Sequence, residues 1–147
     1  MRVAVAFDHR CVKLRERVLD ELEALRHEIV DLGESDEQPV DYPDKARELG
    51  TAILEDRADR GVLVCGYGVG ASIAACKLPG IRAAICHDVY SAHQGVEHDD
   101  MNVLCLGSEV VGPSLAVDLL RAFLGASFDG AERYVARLQK VQAMERS

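Results

Sequence analysis

The stretch from Arg60 to Gly80, RGVLVCGYGVGASIAACKLPG, constrains this chain more than any other. Val62, Leu63 and Val64 form a short apolar run of the kind that becomes a strand buried on both faces. Cys65 ends the run, and Gly66, Gly68 and Gly70 then alternate with Tyr67 and Val69. Ala71 to Lys77 reads as a helix start, with Pro79-Gly80 as its stop. A strand, a glycine-rich turn and a helix N-terminus together make an anion pocket, because glycine lets the backbone approach a ligand and free N–H groups point at negative charge. A tight strand-to-helix connection also uses glycine for its own backbone angles. Three glycines in five residues, beside a thiol at the strand tip, favour a functional turn. The spacing is neither the dinucleotide fingerprint nor a phosphate loop, since no Lys-Ser/Thr pair follows.

The rest of the chain repeats strand and helix with short connections. Strands are expected over Arg2–Phe7, His27–Leu32, Val62–Cys65, Ile81–Cys86 and Met101–Leu106. Helices are expected over Val12–Leu25, Asp44–Asp56, Ala71–Lys77, Val89–Glu97, Pro113–Leu124 and Ala131–Met144. This alternation predicts an α/β protein with a five-stranded parallel sheet and helices on both faces. Ligands of such sheets sit outside the carboxyl ends of the strands. Asp8-His9, Cys65 with its glycines, and His87-Asp88 all fall there. Tyr42 and His98 lie on helix edges or loops that overhang that rim.

Composition narrows the function classes. A formal net charge of −8 over 147 residues argues against nucleic acid or an anionic membrane surface as a partner. No apolar run approaches the ~20 residues that span a bilayer. The N-terminus turns polar after about six residues, too soon for a signal peptide, so a cytoplasmic protein is expected. Cys11, Cys65, Cys76, Cys86 and Cys105 contain no CxxC pair, which argues against zinc or a disulfide framework. Cys86 and Cys105 sit in apolar runs as small core residues, and Cys76 packs on the helix after the glycines. Cys65 differs, because helix N–H groups beside a strand tip favour a thiolate.

Cys65 is therefore the candidate nucleophile or proton-transfer base, with His9, His87, His93 and His98 as candidate partners. His27 reads as a surface or packing residue and His93 as a solvated one. Asp8 occupies a common ligand position, or else caps the helix near Val12. Asp99-Asp100 lacks the spaced partners of a metal site. Arg133 and Arg137 share one helix face and suit a phosphate, or else pair with an acid such as Glu132.

These residues carry a family resemblance. Asp8-His9, Asp41-Tyr42-Pro43, Cys65-Gly66-x-Gly68-x-Gly70 and Ser72-Ile73-Ala74-Ala75-x-Lys77 belong to it. So do Pro79-Gly80-Ile81-Arg82-Ala83, Tyr90-Ser91-Ala92, His98-x-Asp100-x-Asn102-Val103-Leu104, Gly107-Ser108 and Arg133-x-x-x-Arg137. The chain resembles type B ribose-5-phosphate isomerase, in the family that includes galactose-6-phosphate isomerase subunits. The resemblance spans nearly the whole chain and implies one domain over residues 1–147. It implies a three-layer, Rossmann-like (flavodoxin-like) sandwich, working as a homodimer or dimer of dimers with shared active sites. It further implies aldose–ketose isomerisation of a sugar phosphate through an enediolate, with no cofactor and no metal. Cys65 would move the proton, and the N–H groups of Gly66, Gly68 and Gly70 would stabilise the enediolate. His98, from the partner subunit, would help to open the sugar ring. Asp8 would hold sugar hydroxyls, while His9, Arg133 and Arg137 would bind the phosphate.

Several positions depart from the family pattern. Tyr67 stands where a Thr or Ser usually assists ring opening, and Asp99 where an Asn contacts the sugar. Cys76 replaces an Asn, Glu109 stands where an Arg often meets the phosphate, and Tyr134 stands where a His is frequent. Relatives that use a Glu as base carry it where this chain has Ala71. The departures cluster at the site, so the sugar stays open: a tetrose or hexose phosphate, an unphosphorylated sugar, or binding without catalysis.

Overall fold

The computed structural model describes residues 1–8, 11–33 and 41–146. Five strands, β1 (Arg2–Phe7), β2 (Glu28–Asp31), β3 (Arg60–Cys65), β4 (Ala83–Ile85) and β5 (Val103–Gly107), form one parallel sheet in the order β2-β1-β3-β5-β4. The helices are α1 (Val12–Ala24), α2 (Tyr42–Leu54), α3 (Val69–Ala75), α4 (Val89–Asp99), α5 (Pro113–Gly125) and α6 (Glu132–Met144). The expected flavodoxin-like sandwich is present, but its last two strands are exchanged relative to the flavodoxin order. The chain leaves β3, skips a position to make β4 at the edge, and returns to place β5 between them.

Crossover handedness decides the layers. Parallel crossovers keep one hand, so connections that step in opposite directions across the sheet must use opposite faces. The two steps toward the β2 edge, β1 to β2 and β4 to β5, run through α1 and α4. The two opposite steps, β2 to β3 and β3 to β4, run through α2 and α3. Accordingly α1, α4 and α5 pack with Val3, Val5, Val62, Val64, Leu104 and Leu106 on one face. Leu49, Ala71 and Ala75 pack with Ala4, Ala6, Leu63 and Cys105 on the other. Strands covered on both faces read as continuous apolar runs, and β1, β3 and β5 are buried almost throughout.

Several helix ends differ from expectation: α2 runs over Tyr42–Leu54 rather than Asp44–Asp56, α3 ends at Ala75 rather than Lys77, and two further shifts have identifiable causes. The first turn of α3 starts at Val69, two residues early, because Gly68 caps it with φ +84°, a left-handed conformation that glycine adopts without penalty. Helix α4 runs through His98 and Asp99, which were expected in a loop. Asp100 stops it in the left-handed region, held there by Arg82, whose Nη2 donates to Asp100 Oδ2 at 2.8 Å and whose Nε donates to its carbonyl at 2.7 Å. At the other end Asp88 accepts from the Ser91 N–H at 2.6 Å, which holds its carboxyl below the usual range.

Helix α6 is held differently from the others. Tyr134 is its one buried residue. It touches α4 near its start, and near its end the Gly80 N–H donates to Glu145 Oε1 at 3.0 Å. It therefore straps the β4 edge of the sheet. Beneath it lies a cavity of about 520 Å³, walled by Ile81, Met101, Leu138 and Val141, with Asp99 and Arg137 on its lining.

Candidate active site

The tips of β1, β3 and β5 are brought together by register. Phe7 pairs with Val64 and Cys65 with Gly107, so Asp8, Cys65 and Gly107 emerge side by side, with Ser108 one residue beyond. The strand bonding continues past the strands. Ser108 N–H donates to the Cys65 carbonyl and Glu109 N–H to the Gly66 carbonyl, both at 2.8 Å. Asp8 is half-buried, and its backbone N–H bonds the Val64 carbonyl at 3.0 Å. The N-cap position of α1 is Cys11, without a side-chain cap bond of its own.

Cys65 is buried at 7 % exposure, and the Gly68 N–H donates to its sulfur at 3.1 Å. The turn brings that N–H back onto the residue three positions earlier, and the left-handed Gly68 then turns the chain into α3. Space is open above Gly66, where an added Cβ would meet nothing within 4 Å. Tyr42 flanks the turn: its ring lies so close to Gly70 that a Cβ there would sit 2.7 Å from Cζ. Tyr67 is 64 % exposed, with its backbone pressed against Gly107. The site thus combines a buried sulfur, a strand-tip carboxylate, backbone N–H groups and two tyrosines at the rim.

Cys11 and Ser108, which meet at this rim, had no assigned role in the sequence. The Cys11 thiol lies 3.4 Å from Asp8 Oδ1, from the Val64 carbonyl and from Ser108 Oγ. Burial, opposed by the Ser108 bond and aided by the Asp8 charge, pushes that thiol up to about 12. It stays protonated near neutral pH and braces the three tips as a weak donor. His87, a candidate partner for Cys65, is occupied otherwise: its Nε2 accepts from the Gly107 N–H at 3.1 Å, which ties the β4 tip to β5. His93 pairs with Glu97 at 2.6 Å rather than standing free in solvent. His9 lies outside the described residues.

A second group forms elsewhere. Helix α4 starts at the carboxyl end of β4 and runs back about 16 Å, so His98 reaches the amino end of the sheet, beside the Arg82–Asp100 pair. There its ring stacks on Tyr134, with centroids 4.3 Å apart and planes 11° from parallel. Tyr134 Oη is 3.0 Å from His98 Nε2 and accepts from Arg133 Nη2 at 2.9 Å. The Arg133 guanidinium lies 4.6 Å from the Tyr134 ring centroid, and that of Arg137 5.9 Å. Arg133 and Arg137 are thus gathered on Tyr134 rather than paired with Glu132. Asp99 is exposed nearby, and Glu109 is exposed at the opposite rim. Among the described residues no cluster of three or more His, Cys, Asp or Glu side chains has metal-binding geometry, and no helix is long and apolar enough to cross a membrane.

The family model for ribose/galactose isomerase matches residues 3–141. Ribose-5-phosphate isomerase B of Escherichia coli is 38 % identical over 98 % of this chain and 96 % of its own length. The D-erythrulose-4-phosphate isomerase of Pectobacterium atrosepticum is 37 % identical over 88 % of this chain and 86 % of its own. The structure of Clostridium thermocellum ribose-5-phosphate isomerase B superposes with a TM-score of 0.94 at 39 % identity, covering 99 % of this chain and 98 % of that one. The chain belongs to the ribose/galactose isomerase family.

Proposed function

We propose that this protein interconverts an aldose phosphate and a ketose phosphate, of the ribose 5-phosphate/ribulose 5-phosphate type, through an enediolate and without a cofactor. The observation that carries the reading is the buried Cys65 sulfur held by the Gly68 N–H beneath the open space at Gly66. Cys65 takes the proton from C2 of the open-chain aldose. The C1 oxygen becomes an oxyanion that the N–H groups of the glycine turn stabilise. Cys65 then returns the proton to C1, a proton passes from the C2 oxygen to the C1 oxygen, and the ketose results. Atoms and electrons balance within the sugar, so no oxidant is needed. Asp8 holds sugar hydroxyls at the β1 tip, Tyr42 and Tyr67 wall the mouth, and Asp99 approaches the sugar. His98 opens the ring, while His9, Arg133 and Arg137 take the phosphate.

The active unit is a homodimer, alone or paired into a dimer of dimers, with sites shared between subunits. Two features support this. Cys65 and His98 belong to groups at opposite ends of the same sheet, so one chain does not bring them together. Exposed Tyr67, Val69, Val89, Tyr90 and Val110 surround the Cys65 rim, an apolar collar suited to a second copy. The same reading sets the enzyme in the cytoplasm, where its five free cysteines stay reduced.

The test is turnover of a panel of aldose and ketose phosphates, with matched unphosphorylated sugars. Ribose 5-phosphate should be converted to ribulose 5-phosphate, and the unphosphorylated pentose much more slowly. A tetrose 4-phosphate is the second reading, favoured by the likeness to the Pectobacterium enzyme; preference for it would move the substrate by one carbon. Tight binding with no conversion of any sugar would make the protein a binding module and refute the enzyme.

A further inference from the structure

One buried thiol at the rim has no part in the isomerisation itself. The Cys11 side chain is 1 % exposed, and its sulfur lies 3.4 Å from each of Asp8 Oδ1, the Val64 carbonyl oxygen and Ser108 Oγ. A thiol donates one proton and otherwise accepts weakly. Its proton stays on sulfur near neutral pH, because burial above all pushes the thiol up to about 12. The oxygens around it are not equal partners. The Val64 carbonyl already accepts the Asp8 N–H at 3.0 Å. The Ser108 hydroxyl has a proton of its own to donate to sulfur. The Asp8 carboxylate only accepts, and its charge makes it the strongest acceptor present. A sulfur lone pair turned toward that charge would be repelled. The arrangement that satisfies every group is therefore Ser108 Oγ–H to Cys11 Sγ, and Cys11 Sγ–H to Asp8 Oδ1. The main chain supports it. The Cys11 N–H donates to the Asp8 carbonyl at 3.2 Å, and Cys11 is the N-cap of α1, so the helix start holds the thiol against the β1 tip.

We propose that Cys11 is a positioning residue of the isomerase, whose S–H donor fixes the Asp8 carboxylate in the orientation that receives the sugar hydroxyls. This rests on the reading that Asp8 holds those hydroxyls. The last torsion of an Asp side chain is broad, so the carboxylate plane is not set by its own rotamer. An anchor on Oδ1 sets it. The sulfur touches groups from the β1, β3 and β5 ends together, so the carboxylate is aligned to the same strands that carry Cys65 and the glycine turn. The contact is made before the sugar arrives, and binding then orders one group fewer. Ser108 acts one step further out, by directing the thiol proton away from itself and toward Asp8.

The test reads the thiol and the sugar separately. The infrared S–H stretch of Cys11 is isolated as the difference between full-length wild-type protein and Cys11→Ala. It should lie below the frequency of a free thiol. The same difference taken in an Asp8→Ala background should give a higher frequency. A band at the free-thiol position, or one that Asp8→Ala leaves unmoved, overturns the proposal whatever the enzyme does. These variants also form a double-mutant cycle on kcat/KM for ribose 5-phosphate. Cys11→Ala should lower kcat/KM about 3- to 10-fold when Asp8 is present, the worth of one hydrogen bond, and less than about 2-fold when it is absent. Equal losses in both backgrounds would mean that Cys11 acts by packing alone, and overturn the positioning role. Cys11→Val fills the space without a donor and should lose as much as Cys11→Ala; wild-type kcat/KM in Cys11→Val overturns the role as well. Absence of turnover in wild type refutes the isomerase reading instead. The cycle is then read on the Kd of ribose 5-phosphate, where equal losses in both backgrounds, or no binding at all, overturn the proposal.

Discussion

Replacing Gly107 by Ala tests whether the glycine turn is held by the neighbouring strand. A Cβ at Gly107 would lie 2.6 Å from Tyr67 Cα, 2.8 Å from its carbonyl carbon and 3.0 Å from its oxygen. All three are backbone atoms, so no side chain can swing away. Carbon contact is comfortable at about 3.5 Å, so the turn must retreat by roughly 0.9 Å. Over-packing of this kind costs about 1–3 kcal/mol, and each kcal/mol lowers Tm by about 2–4 °C at this chain length. The retreat also carries Gly68 N–H away from the Cys65 sulfur, which it now meets at 3.1 Å. A misplacement near 1 Å costs up to about 10²-fold in rate, so kcat should fall between about 10- and 100-fold. Gly66→Ala is the control, since its Cβ meets nothing within 4 Å. It should leave Tm nearly unchanged and raise KM, because the methyl fills space meant for substrate. Thermal unfolding and steady-state isomerase kinetics of both variants decide the matter. Wild-type Tm and kcat for Gly107→Ala would refute the idea that β5 sets the turn.

Further outcomes follow from the same geometry. Cys65→Ala should abolish isomerisation with little loss of Tm, since only a small cavity results, and Cys65→Ser should fail too because a hydroxyl is a far weaker acid than a thiol; turnover near wild type in either removes Cys65 as the base. Arg137→Ala should shrink the KM advantage of a phosphorylated over an unphosphorylated sugar, and Glu109→Arg, at an exposed rim position, should enlarge it; an unchanged ratio in Arg137→Ala would take that residue out of phosphate binding. Thiol alkylation at pH 8, followed by mass spectrometry, should label exposed Cys76 and spare Cys11, Cys86 and Cys105. Burial pushes Cys11 up to about 12, Cys86 up to about 11 and Cys105 higher still, so all three stay protonated at that pH; rapid labelling of any of them in the folded protein would contradict this.

The elements that sequence disclosed best are those whose reasons are local. Strands β1, β3 and β5 are buried on both faces, so they appear as apolar runs, and the glycine turn announces itself by spacing. The Arg133–Arg137 pair follows from helical periodicity alone. What stayed hidden depends on distant partners. Nothing in the residues of β4 and β5 says which one takes the edge. His98 and Asp99 are polar and read as a loop, yet Arg82, sixteen or more residues away, fixes where α4 ends. Cys11 carried no role in the sequence until the fold set it against Asp8 and Ser108. Tyr134 looked like a replaced histidine; its contact with His98, 36 residues away, exists only in three dimensions.

The central claim is that each active site takes Cys65 from one subunit and His98 from the other. Subunit complementation tests it most directly. Cys65→Ala and His98→Ala proteins, each inactive alone, are mixed, allowed to exchange subunits, and assayed with ribose 5-phosphate. In a mixed dimer one site carries both substitutions and the other carries neither, so random pairing should restore about a quarter of wild-type activity. Heterodimer formation verified by native mass spectrometry, with activity no higher than that of the parent variants, would contradict the claim and assign Cys65 and His98 to one subunit.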